Sequence, residues 1–277
     1  MFDTSTAIET GTPELLAELD DGVLIVTLNR PDSRNALSDT LSPALRRLFA
    51  AVPKLEAARA LLLTGAGKAF CAGGDVKGMG RASSRSSAPR NEEEVIEELR
   101  VRQETLTGAL YELPIPTLAA LPGAAAGAGL SIALACDLRI AAESAFVTTG
   151  FANVGLSGDY GASFFLTQLV GTAKARELFF SAERVDARSC EKLGIVNRVV
   201  RDEALRSAAL DWARELAAGP TRAYESMKQN LDRAIRSDLR TCLAHEAAGT
   251  VRSAQTADHR EAVRAFVDKR KPNFSGN

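Results

Sequence analysis

LLLTGAGKAFCAGGDV, residues 61–76, sets the organisation of this chain. Four apolar or β-favouring residues run up to Gly65, as a strand buried on both faces would, and a glycine turn follows at once. Cys71-Ala72-Gly73-Gly74-Asp75 then offers small side chains over unencumbered main chain. A second stretch repeats the idea: LPGAAAGAGLSIALACDLRIAAESAF, residues 121–146, leaves a strand, passes small residues and opens a helix. At such an opening the first backbone N–H groups have no partner within the helix, and its positive dipole end points the same way. Two such turns aimed at one carbonyl oxygen would form an oxyanion hole. A third stretch, LNRPDSRNALS at 28–38, precedes them.

Working outward, Leu15–Leu19 and Val23–Leu28 read as a hairpin across Asp20-Asp21-Gly22. Ser38 suits the cap of a helix over about 39–52, and Asn91 that of one through about Leu113. The acidic opening Glu92-Glu93-Glu94 of the latter reads as a solvated first turn that favours the helix dipole. Thr117–Leu121 begins a strand after Pro114 and Pro116. The serine- and arginine-rich segment 81–90 reads as a mobile loop. Helical patterns over 202–217, 220–235, 237–253 and 256–268 fill the last third. Together these predict an α/β core over residues 1–200 and a helical module over 201–277.

Composition narrows the function. The chain has 277 residues, 45% hydrophobic and 25% charged, with a net charge of -1. That balance gives no global basic field for nucleic acid or an anionic membrane, so an anionic ligand needs a local cluster. The longest apolar stretch, Leu118 to Cys136, is interrupted by Pro122 and several glycines, which speaks against a membrane span. The N-terminus lacks the charged and apolar regions of a secretory signal. Cys71, Cys136, Cys190 and Cys242 are scattered, without metal-ligand spacing, as expected of reduced thiols in a cytoplasmic protein.

The motifs NRPxxxNAL (29–37), GxGKAFCAGGDV (65–76), GxxxGxGxxxxxxCDxRIA (123–141), GLxGDYG (155–161) and KRKPNF (269–274), in this order and spacing, resemble the crotonase (enoyl-CoA hydratase/isomerase) family. The resemblance spans about residues 12 to 274. It implies a spiral of repeated β-β-α units followed by helices that make trimer contacts, hence a homotrimer or a dimer of trimers. It implies an acyl-CoA thioester as substrate, with no cofactor beyond its coenzyme A moiety and no metal. Carried over residue by residue, the oxyanion donors are the N–H groups of Gly74 and Ala128. Alanine stands where glycine is usual, which serves if its φ is negative. Lys68, Ala72, Asp75 and Val76 fall near the family's adenine and pantetheine contacts. Phe266 and Lys269 resemble residues that reach a neighbouring subunit's nucleotide. For the two lysines a solvated surface role is the alternative.

Two departures matter. Where the family's hydratases are similar in carrying two glutamates, this chain has Ser131 and Phe151. A serine is a poor base at neutral pH and a phenylalanine moves no proton. Asp159, however, occupies a position where isomerases of the family, an epoxy-phenylacetyl-CoA isomerase and a dehalogenase carry an acid. The expectation is proton transfer in an acyl-CoA, with Asp159 as base. A plain helix N-cap is the alternative for Asp159. A hydratase with another acid/base set, for which Glu93, Glu94 or Glu97 are the candidate acids, and a turnover-free acyl-CoA-binding protein are the competing functions. Dehalogenation is disfavoured, because His245 and His259 both lie in the C-terminal part. Asp137 reads as a structural acceptor, Cys71 as an inert thiol, and Phe146, Phe151, Phe164 and Phe165 as acyl pocket or ordinary core.

Overall fold

The computed structural model describes residues 5–75 and 91–277, so segment 81–90 and Val76 lie outside the described residues. Strand β1 (Thr6–Ile8) is followed by β2 (Leu15–Asp20) and β3 (Val23–Leu28), the hairpin the turn residues predict. Helix α1 (Leu41–Ala51) comes next, with Ser38 Oγ accepting from the N–H groups of Thr40 and Leu41 at 3.2 and 2.9 Å. Strand β4 (Ala60–Gly65) is apolar on both faces because both are covered. It pairs in parallel with β3 on one side and β6 (Thr117–Leu121) on the other.

From β4 onward the chain alternates between two sheets. β4, β6, β8 (Leu138–Ala142) and β11 (Arg198–Val200) extend a seven-stranded sheet of order β1-β2-β3-β4-β6-β8-β11. β5 (Ala69–Cys71), β7 (Ala124–Ala126) and β9 (Phe146–Thr148) lie side by side and parallel in a four-stranded sheet, with β10 (Val185–Asp186) antiparallel at its edge. Each turn of the chain thus gives one strand to each sheet, which is the expected spiral. Short strands in the second sheet suit the alanine-rich sequence, since small side chains let the turns stack closely.

Helix α2 (Glu92–Gln103) starts at Asn91, whose side chain accepts from Glu93 N–H. It passes through a π-turn (Glu104–Gly108) before ending at Ala109–Tyr111. Helix α3 (Ala128–Ala135) is buried throughout. Helix α4 (Ala162–Ser181) kinks at Gly171, where φ is 75° and ψ is 166°. Short α5 (Ala187–Lys192) leads to β11.

Past residue 201, α6 (Leu205–Ala217) packs on the large sheet and gives Leu205, Ala209, Trp212, Ala213 and Ala217 to the core. By contrast, α7 (Thr221–Ala234) has no buried residue, and α8 (Leu239–Ala254) buries Gly249 alone. Polar ties hold these outer helices. Lys228 Nζ reaches Asp137 Oδ2 at 2.8 Å, and Tyr111 donates to Asp232 at 2.5 Å. After α9 (Ala257–Val267), buried Asp258 accepts from the N–H groups of Ser275 and Gly276. Arg59 holds the same tail through Phe274 O and also donates to Gly219 O, between α6 and α7.

Candidate functional site

The two small-residue turns meet. Asn35, fully buried, ties the first motif to the second: its Oδ1 accepts from Arg30 N–H, and its Nδ2 donates to Ala66 O and Ala69 O at 2.9 and 2.8 Å. Leu37 then bonds the next turn from both its peptide groups. Its N–H donates to Gly73 O at 2.8 Å, and its carbonyl accepts from Asp75 N–H at 3.2 Å. A parallel bridge of this kind engages the neighbours of Gly74 and leaves the N–H of Gly74 itself facing the opposite way. The start of α3 lies close to this turn. A Cβ built on Gly73, whose φ is +92°, would stand 2.8 Å from Ala126 O and 3.5 Å from Ala128 N.

Ala128 is the first residue of α3, so its N–H has no acceptor within the helix. Gly127 before it has φ 51° and ψ -127°, a conformation open to glycine, and this turns the following amide. Ala128 itself is absent from the residues of positive φ, as its substitution for glycine requires. One residue on, a Cβ on Gly129 would lie 2.2 Å from Cys71 O, so α3 seats directly on the strand that leads to Gly74. Cys71 beneath it is a buried thiol, pushed up to about 12 by burial, and is unreactive there.

Asp159 lies close to the first turn of α3. Ser131 Oγ, wholly buried, donates to Asp159 O at 3.0 Å and lies 3.3 Å from Gly127 O. The serine is therefore a tether behind the turn. The carboxylate does not cap a helix: α4 begins at Ala162, its N-cap is Gly161, and no side chain caps it. Only the main-chain carbonyl of Asp159 accepts from Ala162 N–H, at 3.1 Å. Carboxylate Oδ1 is buried with no hydrogen-bond partner among the described residues. Burial raises the carboxyl from its ordinary 3.8 to about 6. Phe151 supplies part of that apolar setting. Its ring stacks on Phe179 with centroids 5.9 Å apart and comes within 4 Å of Cβ positions built on both Gly127 and Gly158.

The other expected residues divide. Lys68 is exposed on the turn between β4 and β5, while its carbonyl packs against Gly123. Ala72 and Asp75 flank the Gly73-Gly74 turn, and Asp75 Oδ2 lies 3.5 Å from the Arg30 guanidinium. Phe266 is 85% exposed near the end of α9, followed by Lys269 with φ 53°, and neither is brought to this site within the chain. Glu97 pairs with Arg100, and Glu93, Glu94 and Glu97 line a cavity of 650 Å³ with Arg46 and Arg102. The four phenylalanines do not share a pocket. Phe151 borders the site, Phe146 lies under Arg184, and Phe164 and Phe165 cluster with Tyr111 beside a 390 Å³ cavity under α7. Asp137 accepts from Thr117 N–H on the neighbouring strand and from Lys228, a structural junction. Gln103, which the sequence did not single out, accepts from Tyr160 N–H at 2.9 Å.

A fold that spirals between two sheets, sets two small-residue turns against each other and ties a desolvated aspartate to the first turn of α3 defines a class, and the comparisons agree with it. The profile of the family described as enoyl-CoA hydratase/isomerase matches residues 18–277, and the chain belongs to that family, the crotonases. Among particular relatives, a probable enoyl-CoA hydratase of Rhodobacter capsulatus is 38% identical, over 94% of this chain and 96% of its own length. The 1,2-epoxyphenylacetyl-CoA isomerase of Escherichia coli is 34% identical, over 95% and 98%. The crystal structure of a putative enoyl-CoA hydratase from Streptomyces coelicolor superposes with a TM-score of 0.90 at 34% identity, covering 98% of each chain.

Proposed function

We propose that this enzyme isomerises the double bond of an enoyl-CoA, with Asp159 as the proton carrier. The observation that carries this reading is Oδ1 of Asp159: buried, unbonded and free of capping duty, beside the start of α3. A carboxyl raised to about 6 is ionised at neutral pH yet basic enough to take a carbon-bound proton. In the forward step the thioester oxygen accepts from the N–H groups of Gly74 and Ala128. Asp159 removes a proton from C2 of a 3-enoyl-CoA. The electrons of that C–H bond form a dienolate whose negative charge rests on the oxygen. The same carboxyl returns the proton at C4, the double bond moves to C2–C3, and the carbonyl re-forms. Each amide donor would contribute roughly 2.7–4 kcal/mol to lowering the barrier.

Ser131 and Phe151 speak against water addition by a pair of glutamates. A carboxylate spared from capping favours turnover over simple binding. A relative named as a CoA-thioester isomerase gives the reading further support. We infer further that Lys68, Ala72, Asp75 and Val76 hold the coenzyme A moiety. Phe266 and Lys269 would complete that site from a neighbouring copy in a homotrimer or dimer of trimers. Exposed Met227, Leu231, Leu239, Leu243 and Phe266 on the outer helices suit such contacts. Four free cysteines accord with a cytoplasmic setting. No helix among the described residues is long and apolar enough to cross a membrane.

The test is a panel of 2-enoyl-, 3-enoyl- and arylacetyl-CoA substrates with wild type and Asp159→Asn. Isomerisation of 3-enoyl-CoA should exceed hydration of 2-enoyl-CoA, and the substitution should abolish it while CoA binding stays nearly unchanged. Equal turnover by both forms would remove Asp159 from the mechanism.

A further inference from the structure

The peptide unit between Asp159 and Tyr160 is gripped at both ends by side chains from elsewhere in the chain. Its carbonyl accepts from Ser131 Oγ on α3 at 3.0 Å, and its N–H donates to Gln103 Oε1 on α2 at 2.9 Å. Because the Tyr160 N–H is a donor, the amide of Gln103 must present its oxygen. The grip works against a cost. Tyr160 has φ 49°, in the left-handed region, where a side chain strains the backbone. The carboxylate contributes no anchor at Oδ1, so its place depends on the main chain that carries it.

We propose that Gln103 and Ser131 are positioning residues for Asp159, holding the 159–160 peptide so that the carboxylate stays in its apolar setting beside α3. The inference rests on Asp159 being the base. Gln103 is itself held at a fold irregularity. It is the last residue before the π-turn Glu104–Gly108, and Thr107 Oγ1, on a buried residue of that turn, donates to its carbonyl at 3.1 Å. A π-turn shifts the helix phase by one residue. Here α2, with no buried residue, passes into a segment whose Leu106, Thr107 and Leu110 are buried, and Gln103 stands at the change. Ser131 performs the same service from the position where the family resemblance places a glutamate. A donor to the main chain of Asp159 has replaced an acid.

Charged groups around this peptide are few among the described residues. Arg46 on α1 and Arg102 on α2 both act on the Tyr160 phenol, which burial and the Asp159 charge raise. Helix α3 and the first turn of α4 carry no charged residue.

The test separates the clamp from the reaction. The Asp159 carboxyl is titrated by carbon-13 NMR in wild type, Gln103→Met and Ser131→Ala, and kcat and KM for 3-enoyl-CoA are measured in parallel. In both variants the titration should move down toward the ordinary carboxylate range. kcat should fall roughly 10- to 100-fold, as for a misplaced catalytic group, with KM within about twofold. The double variant should lose less than the product of the two, since both act on one peptide. Should one variant fail to fold, the other carries the test alone. An unmoved titration in a folded variant overturns the clamp, even if Asp159→Asn is inactive. A moved titration alongside an active Asp159→Asn sustains the clamp and removes the reaction.

Discussion

Replacing Asp159 by asparagine should make the protein more stable while it abolishes turnover, and the gain should depend on pH in a defined sense. The folded carboxyl holds its proton to about 6, against 3.8 for the ordinary group. The folded state therefore binds a proton more tightly than the unfolded chain. Below 3.8 both states are protonated and the group costs nothing. As the pH climbs past 3.8 the unfolded chain ionises first, and stability falls until the folded carboxyl has ionised too, a little above 6. The interval is about 2 units, worth roughly 3 kcal/mol at about 1.4 kcal/mol per unit. Asp159 is half-buried, and solvent screening reduces the cost to about 2 kcal/mol. Asparagine keeps the shape and drops the charge. Urea unfolding at fixed protein concentration should show a stability difference, variant minus wild type, that grows by about 1 kcal/mol from about pH 5 to about pH 8. A constant or shrinking difference would mean that the carboxylate is solvated or paired, and the account of its basicity would go with it.

Two other substitutions probe the main-chain framework. Gly129→Ala places a Cβ 2.2 Å from Cys71 O, so the start of α3 must move; kcat for 3-enoyl-CoA should fall roughly 100-fold, and an unchanged kcat would detach the α3 amide from the reaction. Asn35→Ala removes three hydrogen bonds of a fully buried side chain and leaves a non-glycine residue at φ 56°, so urea unfolding should report a loss of about 3 kcal/mol or more, against which a neutral result would count.

Much of the fold was legible because hydrophobic patterning and caps are local. The run up to Thr64 announced a doubly covered strand, Asn91 caps the helix whose start it marked, Ser38 accepts from the first N–H of α1, and the C-terminal helices fall within a few residues of their expected bounds. The meeting of the Gly73-Gly74 turn with Ala128 followed from small residues repeated at two strand ends. Other features leave no local trace. Strand β1 is three residues held by pairing alone, and the π-turn at 104–108 interrupts no sequence pattern. Asp159 could also be read as a cap because aspartate before a helix usually is one, but Gly161, with φ 81°, takes that place and α4 starts at Ala162. Gln103 gave no signal, since its partner is a backbone amide 57 residues away.

Under the proposed chemistry, the polarising half of this centre belongs to main-chain atoms that every residue but proline possesses. Exchanging the residue at 128 changes bulk, yet the hydrogen that faces the substrate stays, unless proline is put there. Heredity can therefore redraw the surrounding acids, as the serine at 131 and the phenylalanine at 151 illustrate, and still pass on an intact cradle for the thioester. Such a scaffold favours the gain of new reactions by few mutations, and confines its own weak points to the glycines that shape the turns, Gly73, Gly127 and Gly129.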